Sequence, residues 1–225
     1  MLVTTVTSYS ASNMLSEVHV DASRWNRPPS DETIAQTVTA LQESGITVLR
    51  AKNRQYALES LRSLIPSGAE VMDGASITLF EIGYRAYLDS GQSQWKSLRA
   101  VVHAEGNAAK RHELRRKSMA AEYFVSGVNA ITQSGELVAC DTAGSRVGAW
   151  LFSARHLILV SGVNKIVPTL EDAFHRVREY VYPLESARAK KKYGEQSRLA
   201  KWAIIGYEEH KERIALVLVD EVLGY

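Results

Sequence analysis

One cysteine, Cys140, stands alone among 225 residues. A disulfide framework needs at least two and a cysteine-built zinc or iron–sulfur site needs several, so neither is expected within the chain. Such usage fits a reducing compartment, and the expected location is the cytoplasm. No run of about 18 apolar residues occurs, so no transmembrane helix is expected. The first thirteen residues hold no basic residue and no apolar core. That argues against a secretory signal and, lacking arginine, against a mitochondrial one. Charge of one sign is not in excess: 27 Lys and Arg face 25 Asp and Glu, a net +2. No field therefore calls for a nucleic acid or a membrane surface as partner. There is no Gly-x-Gly-x-x-Gly and no Walker lysine, and His103, His112, His156, His175 and His210 lack metal-ligand spacing. No cofactor and no metal is expected.

What is present is an ordinary globular composition, 45% apolar and 23% charged, with length enough for one large domain. Residues 1–29 read as an N-terminal arm and residues 30–225 as the domain. After the break at Pro28 and Pro29, Ser30 is an N-cap for a helix carrying Ile34, Val38 and Leu41, stopped by Gly45. A strand at 46–50 follows, then a helix capped by Asn53 and ended by Pro66 and Gly68. A strand at 70–72 leads through Gly-Ala-Ser at 74–76 into a helix bearing Leu79, Ile82 and Ala86. Residues 90–106 read as irregular. Residues 107–121 are helical and 123–125 a strand. The unbroken apolar run at 157–160 reads as a buried strand. Thr169 and Asp172 suit a capping box for a helix that Pro183 would stop. A charged helix at 184–193 and strands at 202–205 and 214–219 complete the chain. Strands alternating with helices predict an α/β fold of three layers, a mostly parallel sheet with helices on both faces.

Polar residues concentrate where strands are expected to end, and in such sheets ligands bind at the carboxyl ends of strands. The central block, from Ser126 to Arg146, is punctuated by glycine, and its Gly-Val-Asn at 127–129 recurs at 162–164. The echo reads as two equivalent strand-to-helix turns. Gly74, Ala75 and Ser76 bring backbone amides to a helix start, where anions are favoured, although taken alone they read first as a tight turn with Ser76 as cap. Asn129, Ala130 and Thr132 offer amide and hydroxyl groups. Around Gly144, Arg146 can fork onto a carboxylate or phosphate with Asp141 positioning it, or the two can brace the turn as an internal pair. Gly162, Asn164 and Lys165 follow a buried strand, so Lys165 is a candidate anion holder, a base if desolvated, or a solvated loop lysine. Glu136 is a candidate general base or nucleophile, or simply a polar residue opening a strand. Glu81, three residues after Thr78, suits a capping box. Cys140, beside Asp141 in an apolar strand, reads as an inert thiol. The basic runs at 110–117 and 188–192 read as solvated helix faces.

Several of these motifs, taken in order, resemble the LUD family of lactate-utilization proteins, which includes lactate utilization protein C. They are Gly-Ala-Ser-x-Thr-Leu-x-x-Ile-Gly at 74–83, Val-Asn-Ala-Ile-Thr-x-x-Gly-x-Leu-Val at 128–138 and Asp-x-x-Gly-x-Arg at 141–146. Gly-Val-Asn-Lys-Ile-Val-Pro-x-Leu-Glu at 162–171, Pro-Leu-Glu-Ser-Ala-Arg at 183–188 and the closing residues 217–225 continue the match. The resemblance runs from about Ser30 to the end. It implies a fold like that of the sugar-phosphate isomerase, glucosamine-phosphate deaminase and CoA-transferase group (NagB/RpiA/CoA transferase-like). Residues 184–212 hold no cysteine, which resembles the cysteine-free branch of the family. Relatives are linked to oxidation of L-lactate beside iron–sulfur subunits.

The leading expectation is a protein that binds a small anionic metabolite, a hydroxy acid, keto acid or sugar phosphate, in an accessory role in lactate or related carboxylic-acid metabolism. An isomerase or acyl/CoA-transfer-type enzyme using Glu136 or Lys165 is one alternative, and a non-catalytic interaction module is another. A homo-oligomer and an oxidoreductase partner both remain open.

Overall fold

The computed structural model describes residues 10–225. The part of the expected arm at residues 1–9 lies outside the described residues. Two short helices come first, α1 (Ala11–Leu15) and α2 (Ala22–Trp25), followed by α3 (Asp31–Glu43). Then come β1 (Thr47–Ala51), α4 (Arg54–Leu64), β2 (Glu70–Asp73), α5 (Ile77–Glu81), α6 (Tyr84–Asp89) and β3 (Lys96–Ser97). They are followed by α7 (Leu98–Ala104), α8 (Ala108–Ser118), β4 (Tyr123–Gly127), β5 (Ala130–Thr132) and β6 (Leu137–Asp141). The rest are α9 (Ser145–Gly148), β7 (His156–Gly162), β8 (Ile166–Val167), α10 (Leu170–Arg176), α11 (Tyr182–Tyr193), β9 (Lys201–Ile205) and β10 (Ile214–Val219).

Six strands form one parallel sheet in the order β1-β10-β7-β4-β2-β3. Because every pairing is parallel, the carboxyl ends of all six strands face one edge. Side chains alternate across this sheet. Phe124, Leu157, Leu159, Leu216 and Leu218 pack on one side, with Ile34 and Leu41 of α3. Val125, Ile158, Val160, Val217 and Val219 pack on the other, with Ala57 and Leu61 of α4 and Leu79 of α5. Both faces are thus covered, as an all-parallel sheet requires. The expected three-layer α/β architecture, a mostly parallel sheet with helices on both faces, is the one observed.

A second sheet was not legible as such. It is mixed, with the order β8-β5-β6-β9; β5 is antiparallel to β6 and parallel to β8, and β9 is antiparallel to β6. Its Ile131, Leu137 and Ala139 join the core of the large sheet. Its Ala130, Val138 and Val167 face a third cluster with Met14, Trp25, Ala173 and Tyr180. Residues 10–29 therefore reach the core through Met14 and Trp25.

The Gly-Val-Asn echo marks the two places where the chain leaves the large sheet for the small one, β4 to β5 and β7 to β8. Strands follow them, in place of the expected helices. Both crossings are built alike: Ser126 Oγ donates to the Gly127 carbonyl and Ser161 Oγ to the Gly162 carbonyl, each at 3.0 Å.

Three other expectations are corrected. Residues 90–106 contain β3 and α7, with Trp95 buried and its indole N–H bonded to the Ile65 carbonyl at 3.1 Å. The helix expected after Ser76 is two helices, because Gly83 adopts φ +79°. Pro183 does not stop its helix: α10 runs through a π-helical turn, residues 177–181, into α11, whose first turn holds the proline. The wider π-helical turn lies just before the proline, where a regular α-helix would set its ring against the carbonyl four residues back.

Candidate functional site

The carboxyl edge of the large sheet gathers most of the expected residues. Gly74 follows β2, and a Cβ there would stand 3.1 Å from Arg146 Cδ and 3.3 Å from Ser126 Oγ. Ala75 is exposed. Ser76 caps α5, its Oγ accepting from Leu79 N at 3.3 Å, and its side chain fills the space beside Gly127 that a Cβ would need. Thr78, on the buried face of α5, points to Lys165.

Lys165 is 2% exposed. Its Nζ donates to Thr78 Oγ1 at 2.8 Å and to the Val128 carbonyl at 2.9 Å. Burial pushes its pKa well below the usual lysine value, and the charges of Arg176 and Arg146 add to this while Glu81 opposes it. Arg176 is fully buried on α10. It donates to the Trp25 carbonyl at 3.2 Å and to the Asn129 carbonyl, and its Nη2 has no partner among the described residues. Burial brings its pKa down to about 10. Among the described residues, no carboxylate lies within ion-pair distance of Lys165, Arg176 or Arg146.

Arg146 reaches the Asn129 side-chain oxygen at 2.8 Å and the carbonyls of Cys140, at 2.5 Å, and Gly127, at 3.4 Å. The pairing of Arg146 with Asp141 across the turn is not formed. Asp141 instead accepts the backbone N–H groups of Gly144, Arg146 and Val147, and so caps α9. Gly144 there has φ +91°. Asn129 Oδ1 also takes the Cys140 N–H at 2.9 Å, and Ala130 starts β5 fully buried.

Glu136 stands elsewhere. It sits in the β5–β6 turn, bonded to Thr132 and to Ser134 Oγ at 2.6 Å. Asp141 is five strand residues away, about 17 Å at the usual rise. Burial raises the Glu136 pKa, but the Ser134 and Thr132 hydroxyls outweigh it and leave it lowered. The structure therefore brings together 74–76, Asn129, Arg146, Gly162, Asn164 and Lys165, and leaves Thr132 and Glu136 at the other end of their hairpin. Cys140 is partly buried, and its thiol is pushed up to about 11 by burial, with Asp141 adding and Arg146 opposing.

Two chain segments close over Lys165. Asn164 Nδ2 donates to Asn26 Oδ1 at 2.7 Å, and its Oδ1 accepts from Leu223 N at 3.1 Å. Glu81 Oε1 accepts from Ala11 N at 2.8 Å and Oε2 from Gly224 N at 2.7 Å. This replaces the expected capping box with Thr78. A Cβ on Gly224 would lie 3.3 Å from Lys165 Nζ. Gly162 is equally closed in, by Asn164, Glu221 and Leu223.

Sequence reasoning missed Thr78 as a partner of Lys165, and Arg176. A signal existed for the second: Arg176 falls on the buried helix face, three residues after Ala173. It also missed a group at the end of β2. There Arg85 Nη2 and Arg99 Nη1 both donate to Oδ1 of the buried Asp73, at 2.5 and 3.0 Å.

The model of the LUD domain family matches residues 34–218, most of the chain. Among solved structures, a DUF162 family protein from Deinococcus radiodurans is 15% identical, with 85% of this chain and 99% of that one covered and a TM-score of 0.50. At that identity the likeness is one of fold. A weaker likeness, TM-score 0.37 at 15% identity, is to eIF2B delta from Chaetomium thermophilum, covering 83% of this chain and 59% of that one. Among curated proteins, none matches the chain.

Proposed function

The chain belongs to the LUD domain family, and from that premise we propose that it binds a small anionic metabolite, a hydroxy acid, keto acid or sugar phosphate, beside Lys165. One observation carries the reading. Lys165 and Arg176 are buried side chains of one sign, Arg146 is close by, and no carboxylate pairs with any of them among the described residues. A buried cation is costly unless its charge is matched. An anion at the strand ends supplies the match, in the place where such sheets bind ligands. Entry requires residues 223–225 to move off Thr78 and Lys165. In this reading Asn129 and Thr78 orient the ligand's hydroxyl or carbonyl groups. Membership of the family supports an accessory role in lactate or related carboxylic-acid metabolism.

The test is thermal unfolding against L-lactate, pyruvate, other hydroxy and keto acids, and sugar phosphates. A ligand confined to the native state adds about 2.7 kcal/mol at a hundredfold excess over its dissociation constant. At least one compound is expected to raise the melting temperature of the protein and not that of folded Lys165→Met. A panel with no effect on the protein, or an equal effect on both, removes the anion from Lys165.

The lowered basicity of Lys165 supports a second reading, in which its neutral amine takes a proton from carbon beside a ligand carbonyl. Glu136, held by Thr132 and Ser134 in the β5–β6 turn, makes no bond to Lys165 among the described residues. Exchange of such a proton with D2O, lost in Lys165→Met, is the expected sign. A bound ligand that never exchanges would make the protein a binder only.

A further inference from the structure

Arg176 and Lys165 are tied to the same stretches of backbone. Lys165 Nζ donates to the Val128 carbonyl at 2.9 Å, and Arg176 Nη1 donates to the carbonyl of the next residue, Asn129. Arg176 Nε donates to the Trp25 carbonyl at 3.2 Å. The residue after Trp25, Asn26, accepts from Asn164, the neighbour of Lys165, at 2.7 Å. Two separate links thus hold the guanidinium beside the lysine.

Those bonds leave donors over. A guanidinium has five N–H groups, and two of them sit on Nη2. Arg176 Nη2 has no partner among the described residues, and neither has the hydroxyl of Tyr180. Both residues are fully buried, and the Arg176 guanidinium lies 5.3 Å from the Tyr180 ring centroid. Tyr180 stands in the π-helical turn at 177–181, a rare element that recurs at functional sites. Lys165 is bonded through its Nζ to Thr78 and Val128, while an ammonium has three donors.

A buried donor without an acceptor is costly. Water would satisfy the hydrogen bonds but would leave the charge of Arg176 unmatched. A carboxylate supplies the acceptors and the charge together, with lone pairs enough for several donors. One negative charge suffices. Asp141 already stands beside Arg146, taking its backbone N–H at 3.1 Å, and burial favours the uncharged amine at Lys165. The space is also tight, since a Cβ on Gly224 would meet Thr78 Oγ1 at 2.3 Å.

We propose that Arg176 Nη2 and the Tyr180 hydroxyl bind the anion at Lys165, and that the group they hold is a carboxylate. The assignment rests on the reading that an anion binds beside Lys165, and it narrows that anion to a carboxylate over a phosphate.

Acetate is the probe, with acetamide as its uncharged twin and inorganic phosphate as the competing class. Each is titrated at pH 7 and constant ionic strength, and the melting temperature is followed. Acetate is expected to raise it saturably, and the other two are not. Tyr180→Phe is the main variant, because Arg176 also holds Trp25 and Asn129. It removes one hydroxyl and keeps the ring. Since that hydroxyl has no partner, ligand-free Tyr180→Phe should melt no lower than the protein. Acetate should nevertheless bind it at least tenfold more weakly. Equal acetate binding by Tyr180→Phe, with binding lost in Lys165→Met, would overturn this assignment and leave the anion at Lys165. Binding lost in Tyr180→Phe but kept in Lys165→Met would support the assignment and remove the anion from Lys165. A lower melting temperature for ligand-free Tyr180→Phe would mean that the hydroxyl already has a partner and is no part of the site. Phosphate or acetamide binding as well as acetate, or no binding of acetate, would also overturn the assignment.

Discussion

Lys165 illustrates how burial alone can set chemistry. Its two hydrogen bonds go to neutral oxygens, so nothing within bonding distance offsets the loss of water around an ammonium. Its pKa is therefore lower folded than unfolded, and the unfolded chain binds the extra proton between the two values. Stability must then rise with pH across that window, by up to about 1.4 kcal/mol per pH unit, until the unfolded value near 10.5 is reached. Urea midpoints measured from pH 6 to 10 should show the protein gaining on Lys165→Met as pH rises. Parallel curves would mean that the lysine keeps an ordinary pKa. Arg176 poses the same problem with a stronger base, and its Nη2 has no partner among the described residues. Cys140 is the reverse case: partial burial pushes its thiol up to about 11 and favours the neutral form.

At the scale of elements, caps were the most legible feature. Ser30, Asn53 and Thr169 each accept a backbone N–H from the helix they open, as their side-chain chemistry requires. Helix breaks were less so, since Gly83 and Pro183 look alike as interruptions yet act oppositely. Gly83 breaks a helix through positive φ, whereas Pro183 enters α11 after a π-helical turn. Conformation makes the glycines testable. Gly83→Ala meets no atom closer than Leu58 Cδ2 at 4.0 Å, so its cost is strain, about 1–2 kcal/mol. Gly148 is helical, with φ −64° and open space around it. Gly148→Ala should therefore stabilise by about 0.4–1 kcal/mol. Denaturant unfolding of the two variants should move in opposite directions; a shared direction would mean that these backbone angles do not govern the effect.

For the whole molecule, the parallel sheet followed from long apolar runs and the alternation of strands with helices. The second sheet was hidden because β5 and β8 are only three and two residues long. Their apolar residues look like continuations of β4 and β7. The candidate site was legible as a set of turns, but the closure over it was not. That closure joins Ala11, Asn26, Leu223 and Gly224 to Glu81 and Asn164, residues far apart in the chain. No local pattern encodes such contacts. The same holds for Arg85 and Arg99, which meet only because both helices begin beside Asp73.

The central claim is that an anion binds against Lys165, and the side-chain resonances of that lysine report on it directly. With lysines labelled at Cε and assigned through Lys165→Met, a pH titration should place Lys165 well below 10.5. A ligand that raises the melting temperature should then raise that pKa, because a negative charge beside the ammonium stabilises it. A lysine that titrates near 10.5, or one whose titration is unmoved by every stabilising ligand, would contradict the account.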